Sequence, residues 1–198
     1  RFNTAFQKKL SDFLQIKHLI TVNSGSSANL IAFSSLTSHL HKERAIKPGD
    51  EVIVPAMSWI STSETVTAAG GVVIFCDIDS NSYTIDVHKI ENLVTERTVG
   101  IIPVHLYGHP AEMEIVMDIA KKHSLWIIED CAQAQGALFK KKNVGTFGDA
   151  GCFSFYPTKI LGSYGDGGFI TVKDKSIFEK IRAIRFYGID EINKKNKF

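Results

Sequence analysis

Short runs of Val, Ile and Phe alternate along the chain with longer stretches in which apolar residues recur every three or four positions. The runs predict strands over 18–22, 51–54, 72–75, 99–104, 125–128, 151–155 and 168–172. Their nearly continuous apolar character is that of strands covered on both faces. The periodic stretches predict helices over 27–40, 61–69, 87–94, 111–123 and 175–185. Over 111–123 the first turn carries Glu112 and Glu114, and the end carries Lys121, Lys122 and His123. That charge order suits a helix dipole. Connections such as AIKPGDE and FKKKNVGTFGD hold the Gly, Pro, Asn and Asp of turns. Strands alternating with helices predict an α/β fold, a three-layer α/β/α sandwich around a mainly parallel mixed sheet.

Composition narrows the function classes. The chain has 198 residues, with 23 Lys+Arg against 21 Asp+Glu, a net charge of +2. That balance argues against a strong nonspecific binder of nucleic acid or of a membrane surface. Hydrophobic residues at 44% and charged residues at 22% argue against disorder. The length suits one domain of roughly 150 residues, or one with part of another. No apolar run approaches the roughly 18 residues of a membrane helix, and the first residues, RFNTAFQKKL, do not read as a signal peptide. Three cysteines, Cys76, Cys131 and Cys152, lack any CxxC spacing. They predict separate thiols in a reducing, cytoplasmic compartment.

In an open α/β sheet the ligand sits beyond the carboxyl ends of the strands, and the polar clusters fall there. NSGSSAN follows the first strand and opens a helix. Its glycine, hydroxyls and helix-start amides would suit a phosphate, and they would equally suit a plain helix cap. It is neither a dinucleotide fingerprint nor a P-loop. IIEDCAQ ends a buried strand in two acids. Such an acid binds a metal, holds a cationic ring nitrogen or caps the strand end. Lys159, in FSFYPTKILGSYGDGG, stands among aromatic residues and glycines. Partly desolvated there, its amine would be a nucleophile able to form a Schiff base; the plainer reading is an exposed loop lysine. A phosphate cradle, a strand-end acid and such a lysine together are what a protein provides for pyridoxal phosphate.

With these residues the chain resembles the DegT/DnrJ/EryC1/StrS family of pyridoxal-phosphate-dependent sugar aminotransferases, which have the aspartate-aminotransferase fold (fold type I). The matching stretches are VNSGSSANL, GDEVIVPAMSWISTSETV, PVHLYGHPAEM, IIEDCAQAQGA and GDAGCFSFYPTKILGSYGDGGFI, in the family's order. The resemblance implies that residues 1–198 form the large cofactor-binding domain, with a smaller C-terminal domain expected beyond 198. It implies pyridoxal 5'-phosphate as cofactor, with Lys159 its Schiff-base lysine and Asp130 the acid paired with the pyridine nitrogen. Gln133 matches the residue bonding the ring hydroxyl. Gly25, Ser26 and Ser154 match phosphate contacts, with Ser27 adjacent, and Trp59 matches the aromatic residue stacked on the ring. The activity implied is transfer of an amino group, with glutamate as donor, to a nucleotide-linked keto-sugar. The product would serve cell-surface polysaccharide or related glycans. A homodimer is implied, with no nucleic-acid or membrane partner. Two alternatives within the family are a nucleotide-sugar 3-dehydratase, in which histidine replaces the lysine, and a non-catalytic sensor or regulator. Lys159 speaks against the first, and Lys159, Asp130 and Gln133 together against the second. A cysteine desulfurase would want a cysteine in a mobile loop, and none of the three is so placed.

The remaining features read as structural. His105 and His109 straddle a glycine at a strand end and have no HExxH around them, so no metal is expected. Lys140, Lys141 and Lys142 read as a solvated turn, Cys131 as a small buried residue and Asp166 as a turn former.

Overall fold

A computed structural model describes residues 2–38, 41, 44–190 and 195–196. The chain begins with helix α1 (Phe2–Leu14), then alternates β1 (His18–Val22), α2 (Gly25–Leu36), β2 (Glu51–Pro55), α3 (Ile60–Ala68) and β3 (Val72–Cys76). There follow α4 (Val87–Ile90) with a 3-10 turn (Glu91–Leu93), β4 (Thr98–Ile101), α5 (Met113–His123) and β5 (Trp126–Asp130). A small hairpin, β6 (Leu138–Phe139) and β7 (Lys142–Asn143), precedes β8 (Ala150–Ser154), β9 (Gly168–Val172) and α6 (Lys175–Arg185). The last pair is β10 (Ile189–Asp190) with β11 (Lys195–Asn196).

Seven strands form one sheet in the order β1-β9-β8-β5-β4-β2-β3. Neighbours from β8 to β3 run parallel, whereas β9 runs antiparallel to both β1 and β8. The sheet is therefore mixed and mainly parallel, as expected. Side chains alternate between its faces. Val52, Val54, Trp126, Ile128, Ala150, Cys152, Ile170 and Val172 enter a core with Ala28, Ala32, Phe33 and Leu36 of α2, Val66 of α3 and Ile181 of α6. Ile53, Ile101 and Ile127 enter the opposite core, with Val116, Ile119 and Ala120 of α5. A third core packs Leu10 and Leu14 of α1 against Phe153, Phe155 and Phe169. Helices thus cover both faces.

Four elements differ from the sequence expectation. Helix α1 was not expected, yet Phe2, Phe6, Leu10, Phe13 and Leu14 recur at helical spacing, and two of them are buried. Strand β4 ends at Ile101, short of 104, because Pro103 has no N–H for the ladder. Val104 then rejoins β5 by a single bridge to Asp130. Strand β3 is not covered on both faces: it lies at the sheet edge, with Phe75 59% exposed. The helix expected over 27–40 begins at Gly25 and ends at Leu36, and residues 39–40 lie outside the described set. The Lys140–Lys142 segment is the expected hairpin turn. Lys140 and Lys141 have φ of 47° and 67°, and Lys140 pairs with Glu114. No helix among the described residues is long and apolar enough to cross a membrane.

Candidate active site

Loops at the carboxyl ends of β1, β2, β4, β5 and β8 enclose a cleft of about 570 Å³. Each wall follows from local structure. Ser24 caps α2, its Oγ accepting from the Ser27 amide at 3.0 Å. The first-turn amides of Gly25 and Ser26 have no carbonyl a turn back to bond within the helix. Both residues line the cleft. Ser154, at the end of β8, lies against this helix start: a Cβ on Gly25 would sit 2.7 Å from the Ser154 Cβ. Only glycine allows α2 to approach so closely. Ser27 does not line the cleft. Its hydroxyl instead accepts from Ser24 Oγ at 3.0 Å.

Strand β5 carries two buried acids that point opposite ways, because neighbours on a strand face opposite sides. Asp130 shares its side with Trp126 and Ile128 and so faces α2 and α3. Asn29 Nδ2 and Thr62 Oγ1 donate to its Oδ2 at 3.0 and 2.8 Å, and the Ala132 amide donates to Oδ1 at 3.1 Å. All three donors are neutral, and among the described residues no ion pair engages Asp130. A buried carboxylate with donors but no countercharge, at the floor of a cleft, suits a cationic N–H.

Glu129 faces the other way and is fully buried. Its Oε2 accepts from His105 Nε2 at 3.1 Å and the Gly145 amide at 2.7 Å. Its Oε1 accepts from the amides of Phe147 and Gly148 at 2.8 and 2.7 Å. The Ala111 amide donates to His105 Nδ1 at 3.0 Å, which places the ring proton on Nε2. Burial works against ionisation of Glu129, but these donors outweigh it and hold the carboxyl below its ordinary range. Cys131 lies beside this pair, its thiol pushed well up by burial and by the charges of Glu129 and Asp130. The three could surround a metal by distance. However, hydrogen bonds already occupy the Glu129 oxygens and the His105 nitrogens. The group is a buttress that ties the 145–148 loop and the 105–111 segment to β5. His109 is exposed and does not join it.

Lys159 follows β8 in a turn closed by its own amide to the Tyr156 carbonyl at 2.8 Å. It is half-buried and lines the cleft, as do Gln133 and the mostly exposed Trp59, the residue before α3. The structure therefore gathers Gly25, Ser26, Trp59, Asp130, Gln133, Ser154 and Lys159 around one cleft, from segments more than a hundred residues apart. It adds Asn29, Ser58 and Asp166 to the lining. Thr62 joins through its bond to Asp130. Asn29 and Thr62 lie on helix faces turned to the sheet, where a polar residue amid apolar neighbours was the available signal.

The contents of the cleft suit pyridoxal phosphate: an anion site at a helix start, an uncompensated acid, an amine and an aromatic plane. Residues 1–198 match the model of the DegT/DnrJ/EryC1/StrS aminotransferase family. The chain is 42% identical over 184 residues to the UDP-N-acetyl-3-dehydro-alpha-D-glucosamine 3-aminotransferase of Acidithiobacillus ferrooxidans, covering 93% of this chain and 48% of that one. It superposes on Streptomyces venezuelae DesV, solved in complex with a ketimine intermediate, with TM-score 0.91 and 35% identity, covering 100% of this chain and 51% of DesV. The E. coli GDP-4-keto-6-deoxy-D-mannose-3-dehydratase with bound hydrated PLP gives TM-score 0.89 and 32% identity, covering 96% and 48%. The chain spans about half the length of the curated relatives it matches.

Proposed function

The chain belongs to the DegT/DnrJ/EryC1/StrS aminotransferase family, and from that premise we propose that it is the large, cofactor-binding part of a pyridoxal-phosphate-dependent sugar aminotransferase. The reaction moves an amino group from an amino acid, glutamate in our reading, to a keto-sugar carried on a nucleotide. The product serves polysaccharide or related glycan synthesis in the cytoplasm. The observation that carries the reading is the convergence of Lys159, Asp130 and the Gly25–Ser154 contact on one cleft.

The bound cofactor supplies a conjugated cationic ring that disperses the negative charge left when a proton leaves the substrate's amine-bearing carbon. The chain's residues provide the rest. Amides and hydroxyls of Gly25, Ser26 and Ser154 hold the phosphate. Trp59 presents its ring as a stacking plane, and Gln133 bonds the ring hydroxyl. Asp130 keeps a proton on the ring nitrogen. Its three neutral donors leave its charge for that task. Lys159 would anchor the cofactor covalently, and once the donor's amino group has displaced it, its Nζ would take up the proton that leaves the substrate's amine-bearing carbon. The amine follows β8 and the acid ends the neighbouring strand β5, and both line the cleft.

The dehydratase relative shares the fold, and transamination is favoured because Lys159 is a lysine. Retention of Lys159, Asp130 and Gln133 likewise favours an enzyme over a regulator. Trp59 in the lining is exposed, as are its neighbour Ile60, Ile160 next to Lys159, and Tyr164; apolar residues left open near the site in sequence support a homodimer. The test is an absorbance titration with pyridoxal phosphate followed by borohydride reduction and peptide mapping. A visible band near about 410–430 nm and a reduced adduct on Lys159 are expected. Glutamate should replace the band with one near about 330 nm. An adduct on other lysines, undiminished in Lys159→Ala, would refute the assignment.

A further inference from the structure

Asp130 is held in a way the cofactor reading alone does not require. A carboxylate oxygen has two in-plane acceptor positions. Both positions of Oδ2 are taken, by Asn29 Nδ2 at 3.0 Å and Thr62 Oγ1 at 2.8 Å. Among the described residues Oδ1 receives only the Ala132 amide, which leaves one position open. Thr62 has one hydroxyl proton, and Asp130 receives it. The 2.6 Å contact between Thr62 and Ser58 is therefore Ser58 donating to Thr62. A directed chain runs from Ser58, which lines the cleft, through Thr62 to Asp130.

Asn29 contributes a second, independent observation. Its Oδ1 is buried and has no hydrogen-bond partner among the described residues. Leaving a buried acceptor unpaired is costly. Turning the amide over would set its oxygen against the Asp130 carboxylate, so the acid dictates the orientation and the orphaned oxygen is its consequence. A network serving only to join α2 and α3 to the sheet would have been better made with apolar side chains.

Resting on the cofactor reading above, we propose that Asn29 and Thr62 are positioning residues that saturate Oδ2 of Asp130 and so leave Oδ1 as the one oxygen that engages the ring nitrogen of pyridoxal phosphate. Both donors are uncharged, so they orient the carboxylate without neutralising it. A lysine or arginine at either position would have taken the charge that the ring N–H needs. Loss of a donor makes the carboxylate a stronger competitor for the shared proton, which then moves off the ring.

The experiment compares the unsubstituted protein with Thr62→Val, Thr62→Ser and Asn29→Leu. Two readouts are taken: the dissociation constant for pyridoxal phosphate, and the 15N resonance of cofactor labelled at the ring nitrogen. Thr62→Val and Asn29→Leu should each weaken binding roughly tenfold. Each should also move the resonance toward that of an unprotonated ring. Thr62→Ser, which keeps the hydroxyl, should restore both values. Thermal unfolding without cofactor identifies a variant that fails to fold, and Asn29→Leu makes the same comparison from the other helix. Equal affinity and an unmoved resonance in folded Thr62→Val or Asn29→Leu would overturn the proposal while leaving the cofactor reading intact. Failure of the unsubstituted protein to bind pyridoxal phosphate would overturn both.

Discussion

Replacing Glu129 by Gln probes the buttress behind the proposed cofactor acid. The two side chains have nearly the same shape, so no cavity forms. What changes is one oxygen, which becomes an NH₂ group. In either orientation two of the four converging donors lose their acceptor: His105 Nε2 and the Gly145 amide, or the amides of Phe147 and Gly148. All four lie at a side chain with no solvent exposure, so water cannot replace the lost bond without opening the loop. A buried donor left unpaired costs ~1–3 kcal/mol, so two cost about 4 kcal/mol. That is a large share of the ~5–15 kcal/mol that holds a domain of this kind together. At ~2–4 °C per kcal/mol for a chain of this length, the melting midpoint should fall by about 8–16 °C at pH 7.

The pH dependence supplies a second check. The folded-state pKa of Glu129 lies below the ordinary 4.5, because its hydrogen-bond donors outweigh the cost of its burial. Its ionisation therefore contributes stability above about pH 4.5, and that contribution is lost as pH falls through the folded value. The gap in melting midpoint between the unsubstituted protein and Glu129→Gln should be full at pH 6–8 by this linkage and shrink on acidification below about pH 4.5. Calorimetry across that range measures it. A drop under about 2 °C at pH 7 would refute the account of Glu129 as an ionised, fully bonded anchor.

Three further outcomes are expected. Lys159→Ala should keep its far-ultraviolet circular dichroism and lose the borohydride-trapped cofactor, because its side chain borders open cleft rather than core; retention of the adduct would contradict its role. Gly25→Ala should place a methyl 2.7 Å from the Ser154 Cβ, lower stability by ~1–3 kcal/mol and weaken phosphate-ester binding, read by titration with pyridoxal phosphate; unchanged affinity would count against the helix start as the phosphate site. The three thiols should resist an aromatic disulfide reagent at pH 8 in the folded protein and react fully in guanidinium, since all are buried and the Cys76 thiol is pushed up to about 11, chiefly by burial; rapid labelling of the native state would show the site-side strands opening.

The alternation of apolar runs with helical periods was enough to place seven strands and five helices, because burial on both faces of a parallel sheet leaves a pattern that depends only on local spacing. The glycine and polar clusters after the strands also pointed to one cleft, since strand direction alone puts those loops at the same end. Helix α1 was legible in principle, its phenylalanines and leucines recurring at helical spacing. Three things depended on the tertiary structure. The sequence EDC does not say which acid faces the cleft; the phase of β5 within the sheet does, sending Asp130 toward α2 and α3 and Glu129 toward the 145–148 loop. The reversal of β9 and the edge position of β3 come from strand order, which periodicity does not carry. The bonds from Asn29 and Thr62 to Asp130 join residues 101 and 68 positions apart. A hydrogen bond has no sequence range; it exists only after the sheet has packed its helices and brought donor and acceptor within 3 Å.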